Sequence, residues 1–175
     1  LKRIEDVSFL RNFQFTEDSG PTSHAVKPKE YVAIDNFYTT TIYEKGAELI
    51  RMLEILLGKD RFMKGIKVFI DTFDGCAATT EDFIKSIVKG AYLPEDKSYF
   101  NVEQFQNWYY KSGTPKVYVN QSWDPIESTL KISLEQKFNS QSDNENHAMV
   151  IPIIYSCYNK KNNTKPFIED KLFIL

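Results

Sequence analysis

The sequence has few of the residues that metal, disulfide and nucleotide sites require. Among its 175 residues are two His and two Cys, and Cys76 and Cys157 lie far apart without a CxxC spacing. They cannot form a disulfide framework or, by themselves, a four-ligand zinc site. The seven Gly are scattered singly, and no GxSxG segment occurs. A Gly-rich phosphate loop and a serine-hydrolase elbow are therefore both unsupported.

Neither charge nor hydropathy points to nucleic acid or to a membrane. The 22 Lys and Arg are balanced by 24 Asp and Glu, for a net charge of −2 at pH 7. No basic field exists to attract nucleic acid, which we therefore do not expect as a partner. No apolar run approaches the roughly 20 residues that a membrane span requires. With 42% hydrophobic and 26% charged residues, the composition is that of a folded globular chain.

The two ends of the sequence suggest a piece of a larger protein. Leu1 is not preceded by an initiator Met or a leader, and Phe173-Ile174-Leu175 resembles the middle of a strand. The lack of a leader and the two isolated thiols favour a cytoplasmic location.

The pattern of apolar residues changes along the chain. Residues 1–113 carry apolar side chains at a spacing of three to four, which is typical of helices, whereas residues 114–175 alternate with a period of two, which is typical of strands. We therefore predict an α+β fold with a helical domain over 1–113 and a β domain beginning at 114.

Within the first part, the pattern predicts helices separated by loops. A short helix spans Ile4 to Arg11 and runs into a long loop from Gln14 to Pro28. The segment from Glu44 to Leu57 is apolar over most of its circumference, so that helix is predicted to be buried on nearly all sides. Thr79, with Asp82 three residues later, is typical of a helix N-terminal cap.

Within the second part, residues 117–119 and 130–134 predict two half-buried strands joined around Trp123-Asp124-Pro125. Residues 149–158 predict a third strand, in which Pro152 must face an edge or a bulge because it has no amide to donate. These strands are expected to form part of a sandwich.

Four other features have simple structural interpretations. His24 and His147 have no second ligand at a suitable spacing and are predicted to be surface or loop residues. The polar stretch 139–146 predicts a mobile loop. Trp108, on the last helix of the first part, is either part of an aromatic ligand platform or, as we predict, buried in the core.

One long segment is more informative than composition. Residues 36–52 read NFYTTTIYEKGAELIRM, which resembles the segment after the zinc site in zinc aminopeptidases of the aminopeptidase N (gluzincin) family. The resemblance continues through DGCAATTEDF at 74–83 and WYYKSGTP at 108–115, and upstream through FTEDS at 15–19. Alanyl aminopeptidases of bacterial and protozoan type are most similar. Departures are Ala25, where such proteins often have Pro, and an expanded stretch at 91–101.

This resemblance implies roles for two tyrosines. Tyr43 matches the catalytic tyrosine, whose phenol donates a hydrogen bond to the oxyanion formed during peptide hydrolysis. Tyr38 matches a tyrosine that lines the pocket for the N-terminal side chain of the substrate. From the residues alone, the alternatives are a core tyrosine at a helix start for Tyr43 and loop packing for Tyr38. Lys45 and Gly46 are interpreted structurally: the lysine reaches solvent or a carboxylate, and the glycine lets another backbone approach.

The resemblance also implies the whole function. The parent protein would be a zinc metalloaminopeptidase acting on peptides, and this chain would be the helical C-terminal part of its thermolysin-like catalytic domain and the start of a β-sandwich domain. The HExxH zinc ligands and general base would lie upstream of Leu1, so no metal ligand is expected here and the isolated chain should be inactive and prone to self-association. The alternative is a non-catalytic peptide-binding or scaffold module on the same fold.

Overall fold

The computed structural model describes residues 1–92, 100–138, 148–159 and 162–175. Its helices all precede its strands, which confirms the predicted α+β class. The α-helices are α1 (Lys2–Phe9), α2 (Phe15–Ser19), α3 (Gly46–Leu57), α4 (Lys59–Phe73), α5 (Thr80–Ala91) and α6 (Val102–Tyr110). The strands are β1 (Lys116–Asp124), β2 (Thr129–Lys137), β3 (Pro152–Asn159) and β4 (Asn162–Ile174).

Two stretches have the wider π-helical hydrogen bonding. Leu10–Gln14 joins α1 to α2, and Thr41–Lys45, here called the tyrosine turn, leads into α3. Helical structure therefore continues to Ser19, and the predicted start of a loop at Gln14 is wrong. The reason is that Gln14 is a buried helical residue, whereas the Gly and Pro that break the helix first occur at Gly20-Pro21.

The described residues form two compact units. One unit comprises Leu1–Ala47 and Val102–Leu175, and the other comprises Glu48–Asn101. Helix α3 is buried or half-buried at every position except Ala47 and Arg51, which confirms the predicted burial on nearly all sides.

In the second unit, α4 and α5 pack backbone to backbone. A Cβ added at Gly65 would lie 2.6 Å from both Cα and the carbonyl oxygen of Ile87, and one added at Gly90 would lie 2.6 Å from Cα of Gly65. Only glycine allows this approach. The N-terminus of α5 has the predicted cap: Thr79 Oγ1 accepts from the Asp82 amide at 3.1 Å, and Asp82 Oδ2 accepts from the Thr79 amide at 3.0 Å.

We expect Gly65→Ala to lower the free energy of unfolding by about 1–3 kcal/mol or more, because the rigid backbone of α5 must move away. Gly46→Ala is the matched control. A Cβ there would lie 3.6 Å from Val26 Cγ1, an ordinary contact, and Ala is the better helix former. Urea unfolding midpoints measure the difference. Equal midpoints for the two variants would contradict the tight α4–α5 packing.

In the first unit, β1 and β2 form an antiparallel hairpin, with Lys116 opposite Lys137 and Asp124 opposite Thr129. The turn is closed by Asp124 Oδ1, which accepts the amides of Ile126 and Glu127 at 2.9 and 3.2 Å. The predicted strands and their connection are confirmed.

The predicted half-burial of this hairpin holds only at one end, where Val117 and Leu134 are half-buried and Gln136 exchanges two hydrogen bonds with the Met149 backbone. Val119, Leu130 and Ile132 alternate as expected but are 63%, 47% and 45% exposed. Alternation specifies which residues share a face, but a face is buried only when a second layer covers it. In the part of the chain that the structure describes, the apolar side chains toward the Asp124 turn stay exposed.

Strands β3 and β4 form the second antiparallel pair. Pro152 is the first residue of β3 and lies opposite Ile174, consistent with its lack of an amide proton. The segment before β3 attaches to α6: Trp108 Nε1 donates to the Val150 carbonyl at 2.8 Å, and Asn107 Nδ2 donates to the Ala148 carbonyl at 3.0 Å. Trp108 is buried, so its predicted core role is confirmed. The stretch 139–146 and His147 lie outside the described residues.

Candidate functional site

The tyrosine turn presents Tyr43 on one side and is anchored on the other. Thr41 and Lys45 are buried, whereas Tyr43, midway between them, is 57% exposed. Residues four apart, such as Thr41 and Lys45, lie on the same face of a helix, and the residue midway between them lies on a different face. The Tyr43 amide donates to the Thr39 carbonyl at 3.2 Å, and this bond connects the turn to the residues before it.

The structure brings both predicted site tyrosines together. The rings of Tyr38 and Tyr43 are stacked, with centroids 6.1 Å apart and planes inclined by 25°. Tyr38 is 70% exposed and directly follows a 3-10 turn at Ile34–Phe37. The alternative of a core tyrosine does not fit Tyr43 within the described residues. Of those residues, none hydrogen-bonds the Tyr43 hydroxyl, so this hydroxyl can meet a ligand.

The first anchor of the turn is Thr41. Its amide donates to Glu17 Oε1 at 2.9 Å, and its hydroxyl accepts from Gln14 Nε2 at 3.3 Å. Burial acts to raise the pKa of Glu17, but hydrogen bonds from Thr41 outweigh it and leave that pKa below its ordinary value. Glu17 is therefore an ionised acceptor at neutral pH.

The second anchor is Lys45. Its ammonium donates to Asp18 Oδ2 at 2.8 Å and to the Gly113 carbonyl at 2.9 Å. The same nitrogen lies 6.0 Å from the ring centroid of Trp108. Of the two options predicted for this lysine, solvent or a carboxylate, the structure shows the carboxylate.

Asp18 is the centre of this second anchor. Besides Lys45, its carboxylate accepts from the Gly113 amide at 2.7 Å, the Thr114 hydroxyl at 3.0 Å and the Ser23 hydroxyl at 3.3 Å. Burial acts to raise the pKa of Asp18, but the hydrogen bond and charge of Lys45 outweigh it, and the pKa is lowered. The result is a saturated, buried carboxylate.

A smaller cluster supports the residues before the turn. The Thr39 hydroxyl accepts the Ile42 amide at 3.2 Å and lies 2.8 Å from His24 Nε2. His24 Nδ1 lies 2.8 Å from the Thr22 carbonyl, so this nitrogen carries a proton and donates it. His24 is thus a loop residue held by threonines, as predicted.

Sequence reasoning missed the supporting acids and misjudged one glycine. Glu17 and Asp18 lie in the string FTEDS, which carried part of the family resemblance, but nothing local assigned them a role. Gly46 was predicted to admit another backbone, and this is wrong: the nearest neighbour of an added Cβ is the Val26 side chain.

No metal site is formed by the residues that the structure describes. Among them, no three His, Cys, Asp or Glu side chains are grouped so that they could hold a metal ion. The donors near the tyrosine turn do not fit zinc, because Asp18 is saturated and His24 is engaged with threonines. Of the helices in the described ranges, none has the length and apolarity needed to cross a membrane.

Family models match nearly the whole chain in two consecutive parts. Residues 5–109 match the peptidase family M1 domain, and residues 113–175 match a domain of unknown function, DUF3458, with an Ig-like fold.

The curated relatives are named as aminopeptidases. The chain is 38% identical to aminopeptidase N of Haemophilus influenzae over 97% of its length. It is 35% identical to aminopeptidase N of Escherichia coli over 95% of its length, and 43% identical to that of Caulobacter vibrioides over 74%. The chain spans 19%, 18% and 14% of the lengths of these three relatives, respectively.

A solved structure is similar in fold as well. Aminopeptidase A of Legionella pneumophila, crystallised in complex with aspartic acid, matches 86% of this chain with a TM-score of 0.71 and 26% identity. The chain covers 16% of that protein. Its sequence, its fold and its relatives agree, and the chain belongs to the M1 family of peptidases.

Proposed function

We propose that this chain is part of a zinc-dependent aminopeptidase that removes N-terminal residues from peptides. In this proposal Tyr43 is a catalytic residue that donates a hydrogen bond to the oxyanion, and Tyr38 lines the pocket for the substrate's first side chain. The observation that carries the proposal is the stacked, exposed Tyr38–Tyr43 pair on a turn whose other face is anchored. The aminopeptidase names of the relatives support the reaction class.

The chemistry suits a tyrosine. When water adds to a peptide carbonyl, negative charge develops on the carbonyl oxygen, and a fixed donor lowers the barrier. A phenol with a pKa near 10 keeps its proton at pH 7. The Tyr43 side chain is exposed, whereas its neighbours Thr41 and Lys45 are bonded to Glu17 and Asp18.

Zinc would have to be held by residues outside those described here. When bound, zinc in such enzymes polarises the carbonyl and activates water. In this proposal the chain contributes two groups of its own: the Tyr43 phenol, which donates a hydrogen bond to the oxyanion, and Tyr38, which shapes the pocket.

We also propose the domain division from the sequence, with the catalytic-domain part over 1–113 and a β-sandwich part from 114. Support comes from the change of family model between residues 109 and 113. A cytoplasmic location stays a prediction.

The test of the function is a direct assay on the complete protein that contains this chain. We expect zinc in near-stoichiometric amount, hydrolysis of an alanyl chromogenic amide, no hydrolysis of its N-acetylated form, and loss of activity with a chelator. A folded protein with neither zinc nor turnover would instead favour the non-catalytic peptide-binding module.

The isolated 175 residues should be inactive and should self-associate. Light scattering measures the association, and a clean monomer would contradict it.

Tyr38 should affect specificity more than chemistry. We expect Tyr38→Ala in the complete enzyme to lower kcat/KM about ten-fold for substrates with a large apolar first side chain, because an aromatic contact is lost, and to change kcat less. Tyr31→Ala is the matched control, since Tyr31 is an exposed loop tyrosine whose ring packs on Phe37. Equal effects of the two variants, measured by steady-state kinetics, would contradict a pocket role.

A further inference from the structure

The residues on either side of Tyr43 are both tied to α2, and each also has a second partner elsewhere in the chain. Thr41 is bonded to Gln14 and Glu17, at the end of the first π-helical stretch and in α2. Lys45 is bonded to Asp18 in α2 and to Gly113 beyond α6. Both ends of the tyrosine turn are therefore held, and Tyr43 between them is left exposed.

The Asp18–Lys45 ion pair is buried to an extent that stability alone does not explain. The side chains are 1% and 6% exposed, and the Nζ–Oδ2 distance is 2.8 Å. Desolvating two charges costs about as much as their attraction returns, so an apolar pair of the same volume would serve stability as well or better. An ion pair adds directional bonds, and these specify a geometry.

That geometry matters because a π-helical turn is not the default conformation. It contains one more residue per turn than an α-helix accommodates, and such turns occur frequently at functional sites. Relaxation of Thr41–Lys45 into α-helical register would rotate Tyr43 by about 100° relative to one end, since an α-helix turns 360° in 3.6 residues. Anchors on both Thr41 and Lys45 oppose that relaxation.

We propose that Asp18 and Lys45 are positioning residues for the reaction: their buried ion pair holds the tyrosine turn so that the Tyr43 phenol meets the oxyanion. This rests on the function proposed above. Because a misplacement of about 1 Å in a catalytic group costs on the order of 100-fold in rate, a pair that never touches the substrate can still control kcat.

The test is a double-mutant cycle in the complete enzyme, using Lys45→Met and Tyr43→Phe. We expect Lys45→Met to lower kcat by about 10- to 100-fold, with KM and zinc content nearly unchanged. In the Tyr43→Phe background the same substitution should lower kcat by less than about three-fold, because the group it positions is already gone. A purely structural role predicts the same loss in both backgrounds, and that result would overturn the proposal.

Two further variants keep the test decisive. Asp18→Asn is nearly isosteric and breaks the pair from the other side, so it replaces Lys45→Met if the latter does not fold. Lys67→Met is the matched control: it removes the same ammonium from an exposed pair, in which Lys67 Nζ lies 2.9 Å from Asp71 Oδ2. It should leave kcat within about two-fold, because exposed pairs contribute little.

Hydrogen exchange gives a readout that does not depend on turnover. Peptides covering residues 41–46 should exchange at least about ten-fold faster in Lys45→Met than in the unmodified protein, whereas peptides from α4 and α5 should not change. Unchanged exchange over 41–46 would overturn the positioning role. If the unmodified protein holds no zinc and hydrolyses no peptide, the proposed function fails instead, and exchange still decides whether the pair orders the turn.

Discussion

Tyr43→Phe in the complete enzyme is expected to lower kcat by about 100- to 1000-fold, because one oxyanion donor is typically worth that much. The substitution removes a single oxygen from a ring that is 57% exposed and stacked on Tyr38. The stack itself and the backbone of the turn do not require that oxygen. The loss should therefore be catalytic, and the free energy of unfolding should stay within about 0.5 kcal/mol of the unmodified value.

The division of this loss between kcat and KM is informative. The oxyanion exists only after water has added, so the hydrogen bond contributes in the transition state and not in the ground state. KM should change by less than about three-fold, and a tetrahedral phosphinic inhibitor should bind far more weakly while a ground-state product amino acid binds equally well. Metal analysis should show zinc retained.

Tyr118→Phe is a suitable control for this experiment. Tyr118 lies on β1, is 47% exposed, and has Lys137 5.3 Å from its ring. We expect the kcat of the Tyr118→Phe enzyme to be unchanged. If Tyr43→Phe turned over as fast as Tyr118→Phe, Tyr43 would have no catalytic role, and the exposed tyrosine pair would have to be explained by binding.

The second large effect is on stability. Asp18→Asn is expected to lower the free energy of unfolding by about 3–5 kcal/mol at pH 7, because Lys45 is left as an uncompensated buried charge. The replacement is nearly the same size, so lost packing contributes little. Urea unfolding followed by tryptophan fluorescence measures this loss, since Trp108 lies 6.0 Å from Lys45 Nζ.

The difference in the free energy of unfolding between the unmodified protein and Asp18→Asn should depend on pH, and its direction follows from the pKa of Asp18. Asp18 has a lowered pKa in the folded protein, so its ionised form stabilises the fold fully above the unfolded pKa of about 3.9. That contribution is lost as the pH falls below about 4 and passes through the folded pKa. Glu17, whose pKa is also lowered, acts in the same direction.

We therefore expect the stability deficit of Asp18→Asn to be largest near pH 7 and to shrink below about pH 4. Asp71→Asn, which breaks the exposed pair with Lys67, should show no comparable deficit at any pH. A deficit at Asp18 that stayed constant down to pH 2 would mean that the carboxylate charge does not stabilise the fold.

Local features of this protein were predictable from sequence because they depend on residues close together in the chain. The cap of α5 needs only Thr79 and Asp82. The hairpin needs two alternating runs and the turn that follows Asp124. The tyrosine segment was identified by its string of residues, and the structure places Tyr38 against Tyr43, five positions apart.

What holds that segment was not predictable, because its partners are distant in sequence. Asp18 and Lys45 are 27 residues apart, and Asp18 and Gly113 are 95 apart. A lone Asp near the end of a short helix has the same local pattern whether it is solvated or buried. The π-helical turns are equally invisible to a 3.6-residue periodicity, since they shift the register by one residue.

The sequence by itself therefore determined the order of helices and strands, the local caps and turns, and through its resemblance the family. These follow from interactions over a few residues and from matching strings. Tertiary structure alone decided that Tyr43 is exposed on a turn held by a buried ion pair, and that Val119, Leu130 and Ile132 of the β1–β2 hairpin stay exposed within the described residues. Burial and long-range charge pairing depend on which segments meet in space, and neither periodicity nor composition specifies that.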